Sequence, residues 1–274
     1  MDELLRARAP FRLEAVDCSA TPGIAADKER AEQLLAEGAE HLSHLQEKLF
    51  AASRGGDTRR VLLVLQAMDT AGKGGIVRHV VGAVDPQGVQ LAAFKKPTDE
   101  ELAHHFLWRI EQRLPTAGMI GVFDRSHYED VLIGRVRALA PADEIEQRYG
   151  EIVDFERRLA DDGVSIVKVM LHISRDEQKE RLHERLERPD KHWKYRPGDI
   201  DERMLWDDYQ AAYQLAIERT DADHAPWFVV PANHKWYARL AVQSLLITAL
   251  ERIDPQWPVA DFDVEVEKAR LAAT

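Results

Sequence analysis

Five short apolar runs, separated by amphipathic stretches, constrain the fold of this chain more than any other feature. The first is "VLLVLQAMD" (61–69). It is continuously apolar and β-branched, which suits a strand buried on both faces of a parallel sheet. "GVQLAAF" (88–94), "GMIGVFD" (118–124), "VSIVKVMLHI" (164–173) and "PWFVVP" (226–231) follow. Helical spacing fills 28–53, 73–84, 99–113, 128–138, 142–161, 175–187, 200–219 and 234–252. Alternating strands and helices predict an α/β fold with a parallel sheet covered on both faces. Such sheets bind ligands beyond the carboxyl ends of their strands. Residues 1–27 contain two prolines and little periodicity, and are expected to lie as an extended arm on a main domain of residues 28–274.

At 274 residues the chain is long enough for one large core without covalent staples. The formal net charge of -11 disfavours non-specific binding to nucleic acid or anionic membranes. A polyanionic ligand would need a local basic patch. Cys18 is the only cysteine, which excludes intrachain disulfides and multi-cysteine zinc sites and suits a cytoplasmic protein. The first residues have no apolar core of a secretory signal, and no apolar run is long enough to span a bilayer.

The first strand runs into "LQAMDTAGKGG" (65–75), which nearly spells the phosphate-binding loop G-x-x-x-x-G-K-[ST]. Ala67 replaces the first glycine, Gly74 replaces the Ser/Thr, and Asp69 sits inside the loop. Backbone N–H groups of such a turn form an anion nest, with Gly72, Gly74 and Gly75 allowing close approach and Lys73 reaching between phosphates. The plain alternative is a glycine-rich turn with an exposed lysine. An aspartate in an anion loop is costly unless a cation or an incoming hydroxyl faces it. Asp69 is therefore either a metal ligand or a group that orients an attacking phosphate oxygen.

The third strand ends in "VFDRSHYED" (122–130). Asp124 occupies a Walker B-like position, where an aspartate holds magnesium directly or through water, and Arg125 can clamp a phosphoryl group. The alternative is a helix N-cap followed by a solvated arginine. Glu129 and Asp130 either join the metal or complement a helix terminus. With carboxylates at two neighbouring strand ends, a hydroxyl at position 74 becomes dispensable. Lys95 and Lys96 add positive charge after the second strand. The segment 181–196, "RLHERLERPDKHWKYR", sets six basic residues against three acidic ones and is interrupted by Pro189, Trp193 and Pro197. It reads as a lid over phosphates, spanning about 181–200, rather than a solvated helix end. His127, His172, His192, His224 and His234 form no metal-ligand spacing.

Taken together, "MDTAGKGG", "FDRSHYEDVLIGRV", "ERPDKHWKY", "ERMLWDDYQAAYQ" and "APWFVVPANHKWY" resemble the second polyphosphate kinase family, in order from about residue 28 to 250. The resemblance implies a P-loop kinase-like, thymidylate-kinase-like three-layer α/β/α sandwich with a helical lid. It implies reversible transfer of a terminal phosphoryl group from inorganic polyphosphate to a nucleotide, with magnesium or its substitute manganese, in a homodimer or homotetramer. Asp69, Lys73, Asp124 and Arg125 match the family's loop and Walker B positions. Arg181, Arg185, Lys191 and Lys194 match basic positions of the lid region. "DRSHYEDVL" is similar to the subclass accepting both nucleoside mono- and diphosphates, which makes Glu129 and Asp130 candidates for setting acceptor length through metal placement. Ala67 departs from the glycine of many members. Two rival readings are an ATP-dependent nucleoside monophosphate kinase, disfavoured by Asp69 and Gly74, and a nucleotide-binding switch, for which no N-K-x-D motif is present.

Overall fold

The structure, a computed structural model, describes residues 1–25 and 27–274; Ala26, within the expected arm, lies outside the described residues. Strands β1 (Arg60–Ala67), β2 (Val89–Ala93), β3 (Ile120–Asp124), β4 (Val164–His172) and β5 (Trp227–Pro231) form one sheet. Their order is β2-β3-β1-β4-β5, and every pairing is parallel. All five coincide with the expected apolar runs. Central β1 is buried from Val61 to Ala67, and β4 is buried except at Ser165, as a sheet covered on both faces requires.

One helical layer contains Lys235–Ile253, packed on Lys28–Arg54 and against β1, β4 and β5. The other contains Ala142–Asp161, packed on Trp206–Thr220 and against β4. The N-terminal segment covers the free edge of β5: Ala7 N–H donates to the Trp227 carbonyl at 2.9 Å, and Arg6 bridges Phe228 in antiparallel sense. Leu5, Ala7 and Leu13 are buried in the contact. An otherwise open edge strand is thereby withheld from other chains.

Four expected helices are interrupted: residues 73–84 break at Val80 into Lys73–His79 and a separate short turn, Val81–Ala83. Residues 99–113 form only Asp99–Leu102 and Trp108–Glu111. Thr98 and Glu101 make a capping box that starts the first turn, but His105 Nδ1 accepts the Leu107 N–H at 3.4 Å in place of a helical carbonyl. Residues 128–138 become a tight turn, His127–Asp130, followed by Ile133–Val136. Residues 200–219 split at Leu205 into Gly198–Met204 and Trp206–Thr220. A short helix, Val264–Ala272, buries no residue and was not expected.

Register determines where the loops open. Asp124 lies beside both Leu65 of β1 and Ala93 of β2, while Ala67 pairs with Leu171 and His172 with Pro231. The loops after β1, β2, β3, β4 and β5 therefore all leave the same edge of the sheet.

Candidate active site

The loop after β1 bends through two left-handed residues, Thr70 (φ 68°) and Gly72 (φ 119°), before the Lys73–His79 helix. A side chain at Gly72 would be strained in that conformation. A Cβ built on Gly74 or Gly75 meets no protein atom within 4 Å. Open space, rather than packing, surrounds these two glycines, so a ligand can approach their backbone closely. Lys73 folds back over the loop, and its Nζ donates to the Ala67 carbonyl at 3.2 Å.

Arg125 follows the last residue of β3 in a left-handed conformation, φ 65°. A non-glycine residue there costs roughly 1–3 kcal/mol, so the surroundings must impose it. Its N–H donates to Leu65 O at 3.1 Å, tying the turn to β1. Ser126, fully buried, is next, and its Oγ accepts the Tyr128 N–H at 3.1 Å. The buried Gln66 amide is best satisfied with its nitrogen donating to Glu129 Oε1 at 3.0 Å and its oxygen accepting from Ser126 N–H at 3.1 Å. In this setting the Arg125 guanidinium stands 3.4 Å from Asp69 and 4.0 Å from Glu129. Burial raises the Glu129 carboxyl above its ordinary range, with Arg125 and Lys73 opposing that rise. Burial likewise raises the Tyr213 hydroxyl, and the charges of Glu129, Arg125 and Asp69 act on it. Loop aspartate, arginine and second carboxylate thus form one charged array at the joined ends of β1 and β3.

Asp124 ends β3 half-exposed and enters no ion pair among the described residues. Lys95 and Lys96 are exposed just beyond β2 on the same edge, where Phe94 N–H donates to Asp124 O at 3.1 Å. Among the described residues no three acidic, histidine or cysteine side chains converge as a metal cage. Magnesium is ordinarily held by one or two carboxylates plus phosphates and water, and the carboxylates at the ends of β1 and β3 are donors of that kind.

Two of the expected site residues sit apart from this array. Asp130, expected either at the metal with Glu129 or at a helix terminus, turns toward Arg109 at 3.6 Å and Arg148 at 3.5 Å. Burial raises its carboxyl, and these two arginines oppose the rise. Its charge is already matched by two fixed cations. Arg181 was expected to reach over phosphates as a lid base. It is 5% exposed and donates to the carbonyls of Thr70 (3.0 Å), Ala71 (2.9 Å), Ala232 (2.7 Å) and Asn233 (3.0 Å). It is a strut between the loop after β1 and the turn after β5.

The remaining lid bases divide. Arg185 donates to the Lys194 carbonyl at 3.0 Å and pairs with Asp199 at 3.4 Å, and Lys191 pairs with Glu184. Lys194 is exposed and stands over the Trp193 ring. Sequence reasoning missed a link between the Gly198–Met204 helix and the loop after β1. Arg203 donates to Gln178 Oε1 at 3.0 Å, and Gln178 Nε2 donates to the Asp69 carbonyl at 3.1 Å. No local signal marks Gln178, a glutamine in a highly charged helix. It also missed Lys168 and Gln66, whose signal was available: each is a polar residue inside an otherwise apolar strand run.

Comparison with known proteins identifies the family. The family model described as polyphosphate kinase 2 (PPK2) matches residues 25–258. The AMP/ADP-polyphosphate phosphotransferase of Meiothermus ruber is 46% identical over 248 residues, covering 90% of this chain and 91% of that protein. The ADP-polyphosphate phosphotransferase of Rhodopseudomonas palustris is 41% identical over 243 residues, covering 84% and 83%. The crystal structure of polyphosphate kinase 2 from Arthrobacter aurescens TC1 superposes with a TM-score of 0.98 at 59% identity, covering 99% of this chain and 96% of that one. The five-stranded parallel sheet with its phosphate loop is accordingly a P-loop kinase-like fold, and the chain belongs to the polyphosphate kinase 2 family.

Proposed function

We propose that the protein transfers the terminal phosphoryl group of inorganic polyphosphate to nucleoside mono- and diphosphates, taking AMP to ADP and ADP to ATP, reversibly and with magnesium. The observation that carries the reading is the Asp69–Arg125–Glu129 array beside a phosphate loop that lacks the Ser/Thr hydroxyl at Gly74. Relatives named for AMP/ADP and for ADP phosphotransfer support the acceptor class.

Phosphoryl transfer needs positioning and charge neutralisation more than covalent help. Lys73 and the N–H groups around Gly72, Gly74 and Gly75 hold the phosphoryl group being transferred. Arg125 supplies a planar fork for its oxygens and keeps Asp69 and Glu129 from repelling them. The acceptor oxygen of a nucleotide is already ionised, so no general base is required. A divalent cation belongs to this chemistry; Asp69 and Asp124 would hold magnesium, which would supply positive charge to offset that of the phosphates. Manganese offers the same octahedral oxygen chemistry. Asp69 also remains suited to orienting the acceptor. Lys95, Lys96, Arg185, Lys191 and Lys194 line the course of the polyphosphate chain as the lid, about residues 181–200, closes and frees its internally paired bases. Residues 1–27 are an arm on the domain 28–274.

Assembly into a homodimer or homotetramer is part of this proposal, supported by the exposed apolar side chains Trp257, Val259, Phe262, Val266 and Leu271 near the C-terminus. No helix of the described residues is long and apolar enough to cross a membrane, and a cytoplasmic setting suits the single unbridged Cys18. Purified protein with magnesium, polyphosphate and AMP, without ATP, should form ADP and then ATP. Turnover of AMP only when ATP is supplied would instead establish an ATP-dependent monophosphate kinase.

A further inference from the structure

We propose that the buried Lys168–Glu156 pair is a positioning device for Arg125, acting through His127 and Tyr128. The inference rests on the role given to Arg125 in the proposed function. Lys168 lies in β4 and is 0% exposed, and Glu156, from the Ala142–Asp161 helix, is 1% exposed. All three ammonium protons are used: Lys168 Nζ donates to Glu156 Oε2 at 2.6 Å, to Tyr128 Oη at 2.9 Å and to the Thr220 carbonyl at 2.8 Å. Glu156 Oε1 accepts from the Tyr128 hydroxyl at 2.8 Å and contacts His127 Nε2 at 3.1 Å. The ammonium also stands over the Tyr128 and Trp227 rings, 5.4 and 5.2 Å from their centres. One charged centre thus joins β4, β5, two helices and the turn after β3.

Stability alone does not account for a pair in this place. Desolvating two charges commonly cancels their attraction, and well-packed apolar residues do as well or better. What such a network does provide is a single geometry. Its two contacts on the turn are the residues that follow Arg125 and Ser126. The other side of the turn is held by Leu65 O and Gln66. Between these anchors Arg125 keeps its left-handed backbone and presents its guanidinium to Asp69 and Glu129. Nothing else among the described residues fixes His127 and Tyr128 by side-chain charge. Freed from Glu156 and Lys168, the turn can relax to an ordinary φ, and the guanidinium leaves the phosphate loop.

The test is a double-mutant cycle between the network and Arg125. Lys168→Met removes the charge and keeps the stem; Tyr128→Phe removes only the hydroxyl and keeps the ring. Per folded molecule, Lys168→Met should lower kcat about tenfold or more and Tyr128→Phe about three- to tenfold, with KM for ADP and polyphosphate within about twofold. Both losses should vanish in an Arg125→Ala background, because the residues act through that side chain. The Arg125 Nε–Hε resonance, identified by its absence in Arg125→Lys, should shift in Tyr128→Phe protein; this readout holds whichever phosphoryl donor the parent uses. Unchanged kcat with an unmoved resonance, or a loss that persists in the Arg125→Ala background, overturns the proposal. Should Lys168→Met not fold, the Tyr128→Phe cycle and resonance decide it by the same criteria.

Discussion

Truncating Arg181 to alanine should weaken the scaffold of the phosphate loop before any substrate is present. Its guanidinium is buried and serves four carbonyls on two loops, at 2.7 to 3.0 Å. A hydrogen bond to a charged group contributes about 1.5–3 kcal/mol, but four that share one donor group do not add. Leaving buried carbonyls without their donor costs about 1–3 kcal/mol each, and with four sharing one side chain about 3–5 kcal/mol is the expected loss here. For a chain of this size that lowers the melting temperature by about 10 °C. Urea unfolding of parent, Arg181→Ala and Arg181→Lys measures it directly. The lysine variant keeps the charge but has a single ammonium with three protons, unable to span both loops, and should recover only part of the loss. A lid base that merely touches polyphosphate predicts something different: unchanged stability, a raised KM for polyphosphate and a weaker dependence on salt. An Arg181→Ala protein within about 0.5 kcal/mol of the parent would refute the strut.

Other consequences are equally specific. Lys73→Ala and Asp124→Asn should each reduce kcat by about a thousandfold or more with far-ultraviolet circular dichroism unchanged. Chelation should stop turnover and added magnesium restore it, with Asp124→Asn needing more of the ion; full activity in a chelator would exclude the metal role. Burial lowers the His172 imidazole to about 4, so the folded protein keeps it neutral while the unfolded chain takes up a proton below about 6.5. Stability from this group is therefore complete above pH 6.5 and is lost as pH falls toward 4, by about 3 kcal/mol in all. The difference between parent and His172→Gln in urea unfolding across that window reads it. Burial, with Asp17 adding to it, raises the Cys18 thiol to about 11. Only about 0.1% is thiolate at pH 8, so iodoacetamide should label the folded protein far more slowly than the urea-unfolded one.

The strands were readable because a parallel strand buried on both faces leaves an unbroken apolar run. The helices Ala142–Asp161 and Arg175–Glu187 were readable from their helical spacing, and the fold starts the second with a Ser174 cap that accepts the Glu177 N–H. The interruptions at His105 and Leu205 were not, because helical spacing continues across them while the backbone breaks locally, at His105 with a side-chain nitrogen taking the Leu107 N–H. Val264–Ala272 escaped notice for the opposite reason: a helix that buries nothing has no apolar face to declare itself. Within the site, residue type showed which groups carry charge but not which way they face. Glu129 and Asp130 are adjacent carboxylates, yet one joins Arg125 and the other Arg109 and Arg148. Arg181 and Lys194 are both bases of the lid region, yet one is a buried strut and the other is solvated. Direction is decided by the backbone conformation at each residue and the partners packed around it, which only the folded chain supplies.

Phosphorus NMR of one reaction mixture tests the central claim most directly. Protein, magnesium, polyphosphate of defined length and AMP are combined without ATP, and the polyphosphate end-group and nucleotide signals are followed together. One phosphoryl group should be lost from polyphosphate for each one gained by nucleotide, with β- and then γ-phosphate signals appearing in turn. Nucleotide that stays AMP while polyphosphate is unchanged, or polyphosphate shortened only to inorganic phosphate, would contradict it.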